Sequence, residues 1–152
     1  MPADSSSPVP FEVVSSRWLP FPREQVYEAF RDPQQLVLWW GPKGFSNTIY
    51  KFDLRPEGAW HITLHGPDGK NYDNMKEFTE VVPNERVVFR HVQSGHDFTM
   101  AMTYEARDGG TLLAWRLTFA EAGSEQMRAF IAKANEENFD RLEEHLKTER
   151  AA

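Results

Sequence analysis

From Ser46 to Phe119 the chain alternates apolar and polar residues at period two, and from Ser124 to Thr148 it turns to a helical period with one apolar stripe. A strand with one apolar face and a helix with one apolar stripe must each be covered, so the two segments have to pack on each other. Tyr50, Phe52 and Leu54 alternate with Lys51, Asp53 and Arg55, and Trp60, Ile62 and Leu64 alternate with His61, Thr63 and His65. Val87, Phe89 and His91 share a face, as do Phe98, Met100, Met102 and Tyr104, and Leu113, Trp115, Leu117 and Phe119. Turn residues at Glu57-Gly58, Pro67-Asp68-Gly69, Pro83-Asn84 and Asp108-Gly109-Gly110 separate these runs at hairpin spacing. That spacing predicts an antiparallel meander.

Upstream, Val9 to Leu19 is rich in β-formers and predicts a first strand. Two short helices should follow. Pro22 suits a first helical position, with Val26, Tyr27 and Phe30 on one face. Asp32 then caps a second helix, with Pro33 at its first position and Gln35 completing a capping box before Leu36 to Trp40. Ser124 is the N-cap expected for the last helix. Its stripe is Met127, Ile131, Ala134, Asn138, Leu142 and Leu146, flanked by Phe130 and Phe139. The expected class is α+β: a curved antiparallel sheet of about seven strands against a long C-terminal helix, with two short helices after the first strand. Residues 1–8, polar and rich in Ser and Pro, are expected to be a disordered tail, and residues 9–149 a single domain.

Composition removes several functions. The net charge of −6 argues against nucleic acid and anionic membranes as partners. With no cysteine in the chain, disulfide and thiolate chemistry are excluded. No run approaches the roughly 18 apolar residues of a membrane span. The opening residues lack the blocks of a signal peptide, so a cytoplasmic location is expected. His-Glu-x-x-His, Gly-x-Ser-x-Gly and phosphate-cradling glycine loops are all missing, so neither a metal nor a cofactor is expected. His61 and His65 would make a metal pair on a helix, but on a strand they stand roughly 13 Å apart and face solvent.

Five motifs occur in order: Leu38-Trp39-Trp40-Gly41-Pro42, the segment Asp53 to Trp60, Gly66-Pro67-Asp68-Gly69, Glu80 to Phe89, and Phe139 to Leu146. In this order they resemble the SRPBCC superfamily, nearest its branch named after the activator of the heat-shock protein 90 ATPase. The resemblance covers Phe11 to Leu146. It implies a helix-grip fold, a curved sheet wrapped around the C-terminal helix and enclosing an apolar cavity. Other members of the superfamily include the birch-pollen allergen, START domains and aromatic polyketide cyclases, so the fold leaves function open.

The inward-facing Phe52, Trp60, Ile62, Phe89, Met100, Met102 and Trp115 read either as plain core or, following the resemblance, as the lining of a cavity. Phe130, Ala134 and Asn138 would line it from the helix. Trp39 and Trp40 either plug the interior or flank its mouth. His91, Asn138 and, more weakly, Tyr104 are the candidate polar anchors, and His91 is the proton carrier if the chain is an enzyme. Glu80 and Arg86 should pair across the Pro83-Asn84 turn. The leading expectation is non-enzymatic binding of a small apolar or amphipathic molecule. The alternatives are a cyclase- or isomerase-like enzyme using the same cavity, or an interaction module contacting a chaperone or a second copy of the chain.

Overall fold

The computed structural model describes residues 11–91, 98–119 and 124–151. Residues 1–8, expected to form a disordered tail, lie outside the described residues. The elements are β1 (Phe11–Leu19), α1 (Arg23–Arg31), α2 (Pro33–Trp39), β2 (Ser46–Phe52), β3 (Ala59–His65), β4 (Asn71–Val82), β5 (Arg86–His91), β6 (Phe98–Arg107), β7 (Gly110–Phe119) and α3 (Glu125–Ala151). The strands form one antiparallel sheet in the order β1-β7-β6-β5-β4-β3-β2, so β1 and β2 are its edges. This is the helix-grip arrangement, a curved sheet holding a long C-terminal helix.

Local chemistry places the turns. Asp108 and Gly109 both adopt positive φ (51° and 78°) between the paired residues Arg107 and Gly110. This is the two-residue hairpin whose twist matches its strands. Asn84, at φ 65°, follows Pro83 in a turn closed by Glu85 N–H donating to the Val82 carbonyl at 3.0 Å. Proline and a left-handed asparagine are the residues such a turn selects. The Glu80 carboxylate accepts from Arg86 Nε at 3.0 Å, as the sequence predicts. Register shifts between Ile49 and Lys51 and between Phe78 and Glu80 mark bulges, which bend β2 and β4 around the helix.

The helix starts differ from the expected ones in detail. Pro22 is the N-cap of α1, one position earlier than predicted, and its carbonyl accepts from Gln25 and Val26. Asp32 caps α2 by accepting from Gln34 N–H at 3.0 Å. The Gln35 amide donates to the Asp32 carboxylate at 3.4 Å. It cannot take the Asp32 N–H as a capping box would, because that N–H continues α1 onto the Glu28 carbonyl. Ser124 Oγ caps α3 through Met127 N–H at 3.0 Å.

α3 runs beside β1 and in the same direction. Arg128 donates to the Glu12 carbonyl, Asn135 Nδ2 to Ser15 Oγ at 3.1 Å, and Arg17 reaches Glu136 and Asp140 (both 2.8 Å) and Glu143 (3.3 Å). Partly exposed pairs contribute about 0.2–1 kcal/mol each, so they set register more than they hold the helix. Most of the stabilisation comes from buried Phe139, Leu142 and Leu146, at roughly 1.5–3 kcal/mol apiece.

The stripe on α3 requires a correction. Phe139 is fully buried, with its ring 4.7 Å from that of Trp115, but Phe130 is 73% exposed. At about 100° per residue, the nine positions between them make roughly two and a half turns, so Phe130 and Phe139 point to opposite sides and only one can face the sheet. Met127 is also exposed, at 44%, and Ala134 is half-buried. The buried face of α3 is Asn135, Asn138, Phe139, Leu142, His145 and Leu146.

Candidate functional site

One register line crosses the whole concave face. Following the strand pairs, Phe11 sits opposite Phe119, Phe119 opposite Phe98, Phe98 opposite His91, His91 opposite Lys76, Lys76 opposite Trp60, and Trp60 opposite Phe52. Ring or cation–π contacts join five of the six neighbouring pairs along this row. Ring centroids are 5.3 Å apart for Phe11 and Phe119, 5.4 Å for Phe119 and Phe98, and 5.6 Å for Trp60 and Phe52. His91 stacks on Phe98 at 5.1 Å, and Lys76 Nζ lies 4.0 Å above the Trp60 ring. An apolar row running from edge to edge is thus interrupted only at its centre, by an imidazole and an ammonium.

Lys76 is the feature that sequence reasoning missed. It is 4% exposed, and among the described residues no carboxylate pairs with it. Its neighbours are ring faces: Trp60, then Trp40 and Phe89, each 5.6 Å from Nζ. Burial without a counter-charge pushes its pKa down from 10.5 to about 7. Cation–π attraction opposes that shift, since a ring face favours the charged form. A signal was present in the sequence. Counting back by twos from Phe78 puts Lys76 and Asn74 on the inner face, but Tyr72, Met75, Phe78 and Val81 recur at threes and hide the alternation.

His91, read as an inward anchor, is buried at 7% and bonds Asn74 Oδ1 through Nε2 at 3.1 Å. Asn74 Nδ2 donates to the Tyr72 carbonyl at 3.0 Å, which fixes the amide so that oxygen faces the ring. Nε2 therefore carries the proton in this contact.

Asn138, read as a second anchor, has a structural task. Its Nδ2 donates to the Trp39 carbonyl at 2.8 Å, and its Oδ1 accepts from Gly41 N–H at 3.2 Å. Arg141 Nη1 adds bonds to the Gly41 and Pro42 carbonyls at 2.9 and 3.1 Å. Between them these residues tie the end of α2 to α3. Gly41 sits at φ +111°, where a Cβ would come within 3.2 Å of the Phe45 Cβ. Trp39 is a plug, 2% exposed, with its indole N–H on the Ala29 carbonyl at 2.9 Å. Trp40 instead faces the interior, with centroids 5.0 Å from Trp60 and 5.3 Å from Trp115. Tyr104 packs edge-on to Tyr27 at 5.4 Å, and burial raises its pKa.

The remaining predicted lining separates into two zones. Around Phe30 the rings of Trp40, Phe52, Trp60 and Phe78 pack at 5.4–6.4 Å, which is close-packed core. Ile62, Phe89, Met100 and Met102 are buried there or beside it. At the other zone, Phe98 and Phe119 are only half-buried, and Arg128 of α3 lies over the Phe11 ring at 4.7 Å. The indole N–H groups of Trp60 and Trp115 are buried and have no hydrogen-bond partner among the described residues. A third orphan, Asn47 Oδ1, belongs to an amide whose Nδ2 holds the Val37 and Trp40 carbonyls. His61 and His65, on the opposite face, bond Asp73 and the Thr48–Asn71 pair respectively, at 2.7–2.8 Å.

Comparisons with known proteins agree with this architecture. A Chromobacterium violaceum structure matches with a TM-score of 0.78 at 23% identity, covering 89% of this chain and 96% of that one. A Nitrosomonas europaea structure matches with 0.79 at 21% identity, covering 93% and 97%. The AHSA1 protein of Silicibacter pomeroyi matches with 0.73 at 20% identity, covering 91% and 99%. At these identities the likeness is one of fold. No curated protein matches. No helix among the described residues is long and apolar enough to cross a membrane. A family model described as Activator of Hsp90 ATPase homolog 1-like protein matches residues 20–147, and the chain belongs to that family, within the SRPBCC superfamily.

Proposed function

We propose that the chain binds a small apolar or amphipathic molecule between the concave face of the sheet and the N-terminal half of α3. The observation that carries this reading is the unequal covering of the transverse row. Trp60 is fully buried and the half-buried Phe52 beside it is held in the ring cluster of Phe30, Trp60 and Phe78, while Phe98 and Phe119, also half-buried, lie outside that cluster with part of their surface uncovered. The first turns of α3 add Met127, also exposed, whereas Phe130 points away from the sheet. A large half-covered apolar surface is unfavourable in water, at about 25 cal/mol per Å², and a ligand that covers it recovers that energy.

The magnitudes define the ligand. Burying about eight methylenes gains roughly 6 kcal/mol, while association costs at least ~4 kcal/mol. An alkyl chain alone binds weakly, and useful affinity needs rings that stack on Phe98 and Phe119 or a polar anchor. Titration with an apolar probe, read by tryptophan fluorescence, tests the reading, because Trp40 and Trp60 adjoin the row. Saturable quenching or a blue shift at micromolar probe supports it, and an unchanged spectrum up to probe solubility overturns it. The family description favours a second reading, contact with a chaperone. Copurification with the 90-kDa heat-shock protein, undiminished by a saturating apolar ligand, would favour that reading over the first.

A further inference from the structure

We propose that the Lys76 ammonium, caged by Trp40, Trp60 and Phe89 at the centre of the transverse row, is the receptor for the anionic head of the ligand, and that the ligand is a monocarboxylate with an apolar tail. This assignment rests on the binding reading above and deepens it.

The geometry argues for an anion by elimination among the interior polar groups. Lys76 Nζ lies 4.0 Å over the Trp60 ring, has no carboxylate partner among the described residues, and belongs to a residue only 4% exposed. The indole N–H of the same Trp60 is buried without an acceptor, and so is that of Trp115, on the far side of Trp40. His91, opposite Lys76 in the register, directs its Nε2–H to Asn74. Among the described residues, this part of the interior thus holds the ammonium and two unmatched indole donors against one unmatched acceptor, Asn47 Oδ1. Buried polar groups are hydrogen-bonded in the great majority of proteins, and an unmatched buried donor costs about 1–3 kcal/mol. A carboxylate supplies two acceptor oxygens and the missing charge at once, and charge-assisted bonds to it are the stronger kind. A cationic head would meet the ammonium directly, and a neutral head would leave the charge unpaired.

The tail direction follows from the row. On one side of Lys76, Trp60 is fully buried and the half-buried Phe52 is packed against Phe30, Trp60 and Phe78, so the ring cluster occupies the space there. On the other, His91 stacks on Phe98, which leads to half-buried Phe119 and to Phe11 beneath Arg128. A ligand whose carboxylate reaches Lys76 therefore lays its apolar part along Phe98 and Phe119.

The test compares decanoate, decanol and decylammonium, three probes with one tail and different heads, by calorimetry and tryptophan fluorescence on wild type and Lys76→Met. The expected result is decanoate binding at least about tenfold more tightly than decanol, with decylammonium weakest. Lys76→Met should remove the preference for decanoate while decanol affinity stays within about threefold, which also shows that the variant is folded. Equal affinity for decanoate and decanol in the wild type overturns the Lys76 assignment and leaves the binding reading intact. So does a decanoate preference that survives Lys76→Met. Failure of all three probes to bind overturns the binding reading and this assignment together.

Discussion

Replacing Lys76 by Met should make the protein more stable at neutral pH and below, contrary to the usual result of altering a buried residue. Lys76 has its pKa pushed down from 10.5 to about 7 by burial. At about 1.4 kcal/mol per unit, this corresponds to roughly 5 kcal/mol for keeping the charge inside. Attraction to the Trp60, Trp40 and Phe89 faces returns about 0.5–2 kcal/mol. The net cost of the charged form is then about 3 kcal/mol, and methionine, an unbranched chain that packs well on rings, avoids it. The sign follows from the depressed value. Below pH 7 the lysine is protonated in both folded and unfolded states, and the penalty is present in full. Between about pH 7 and 10.5 the unfolded chain binds the extra proton, so wild-type stability rises with pH toward that of the variant. Urea unfolding at pH 6, 8 and 10 measures this. With a slope of about 1.5–2 kcal/mol/M, Lys76→Met should unfold about 1–2 M later than wild type at pH 6, and the gap should close by pH 10. Groups that do not touch Lys76 drop out of the difference. A variant less stable at pH 6, or a gap that is flat from pH 6 to 10, would refute the reasoning.

Other substitutions probe the frame around the row. Asn138→Ala removes both bonds to the α2 break and strands the Trp39 carbonyl and the Gly41 N–H, so urea unfolding should show a loss of about 2–4 kcal/mol. Gly41→Ala places a side chain at φ +111° and should cost about 1–3 kcal/mol by the same measurement. Phe139→Ala should cost about 3–5 kcal/mol, whereas Phe130→Ala, on the opposite side of α3, should stay within about 0.5 kcal/mol. Similar losses at the two phenylalanines would show that the rotation of α3 described above is wrong.

The fold was legible because each of its determinants is local. Alternation in Trp60–Leu64, Val87–His91, Phe98–Tyr104 and Leu113–Phe119 marks the inner face without knowledge of the partner strand. Asp108-Gly109 and Pro83-Asn84 mark their turns because only certain residues accept positive φ there. Errors appeared where two local signals compete. Asp32 cannot complete a capping box because its N–H is already committed to α1, a conflict created by two helices meeting at one residue. The stripe is expected to be flanked by Phe130 and Phe139, but the two are half a helical rotation apart and cannot share a side, a constraint that the spacing already contains.

The site was less legible because it depends on register. Alternation says that His91 and Trp60 point inward, but not that they flank the same residue of β4. In β4 itself the bulge after Phe78 shifts the inner face, so Phe78 and Val81 both pack inward although three positions apart. A period of two drawn back from Val81 across the bulge misplaces Lys76, and a lysine is in any case the residue a sequence reader assigns to solvent. The same logic applies to Asn138, whose inward placement is local but whose partners are not. An inward amide on a helix stripe looks like an anchor until the chain break at Gly41 is seen against it, 97 residues away in sequence. Asn138 has its partners, and among the described residues Lys76 meets only ring faces. Of the two buried polar groups, the lysine is therefore the one whose chemistry is still open to a ligand.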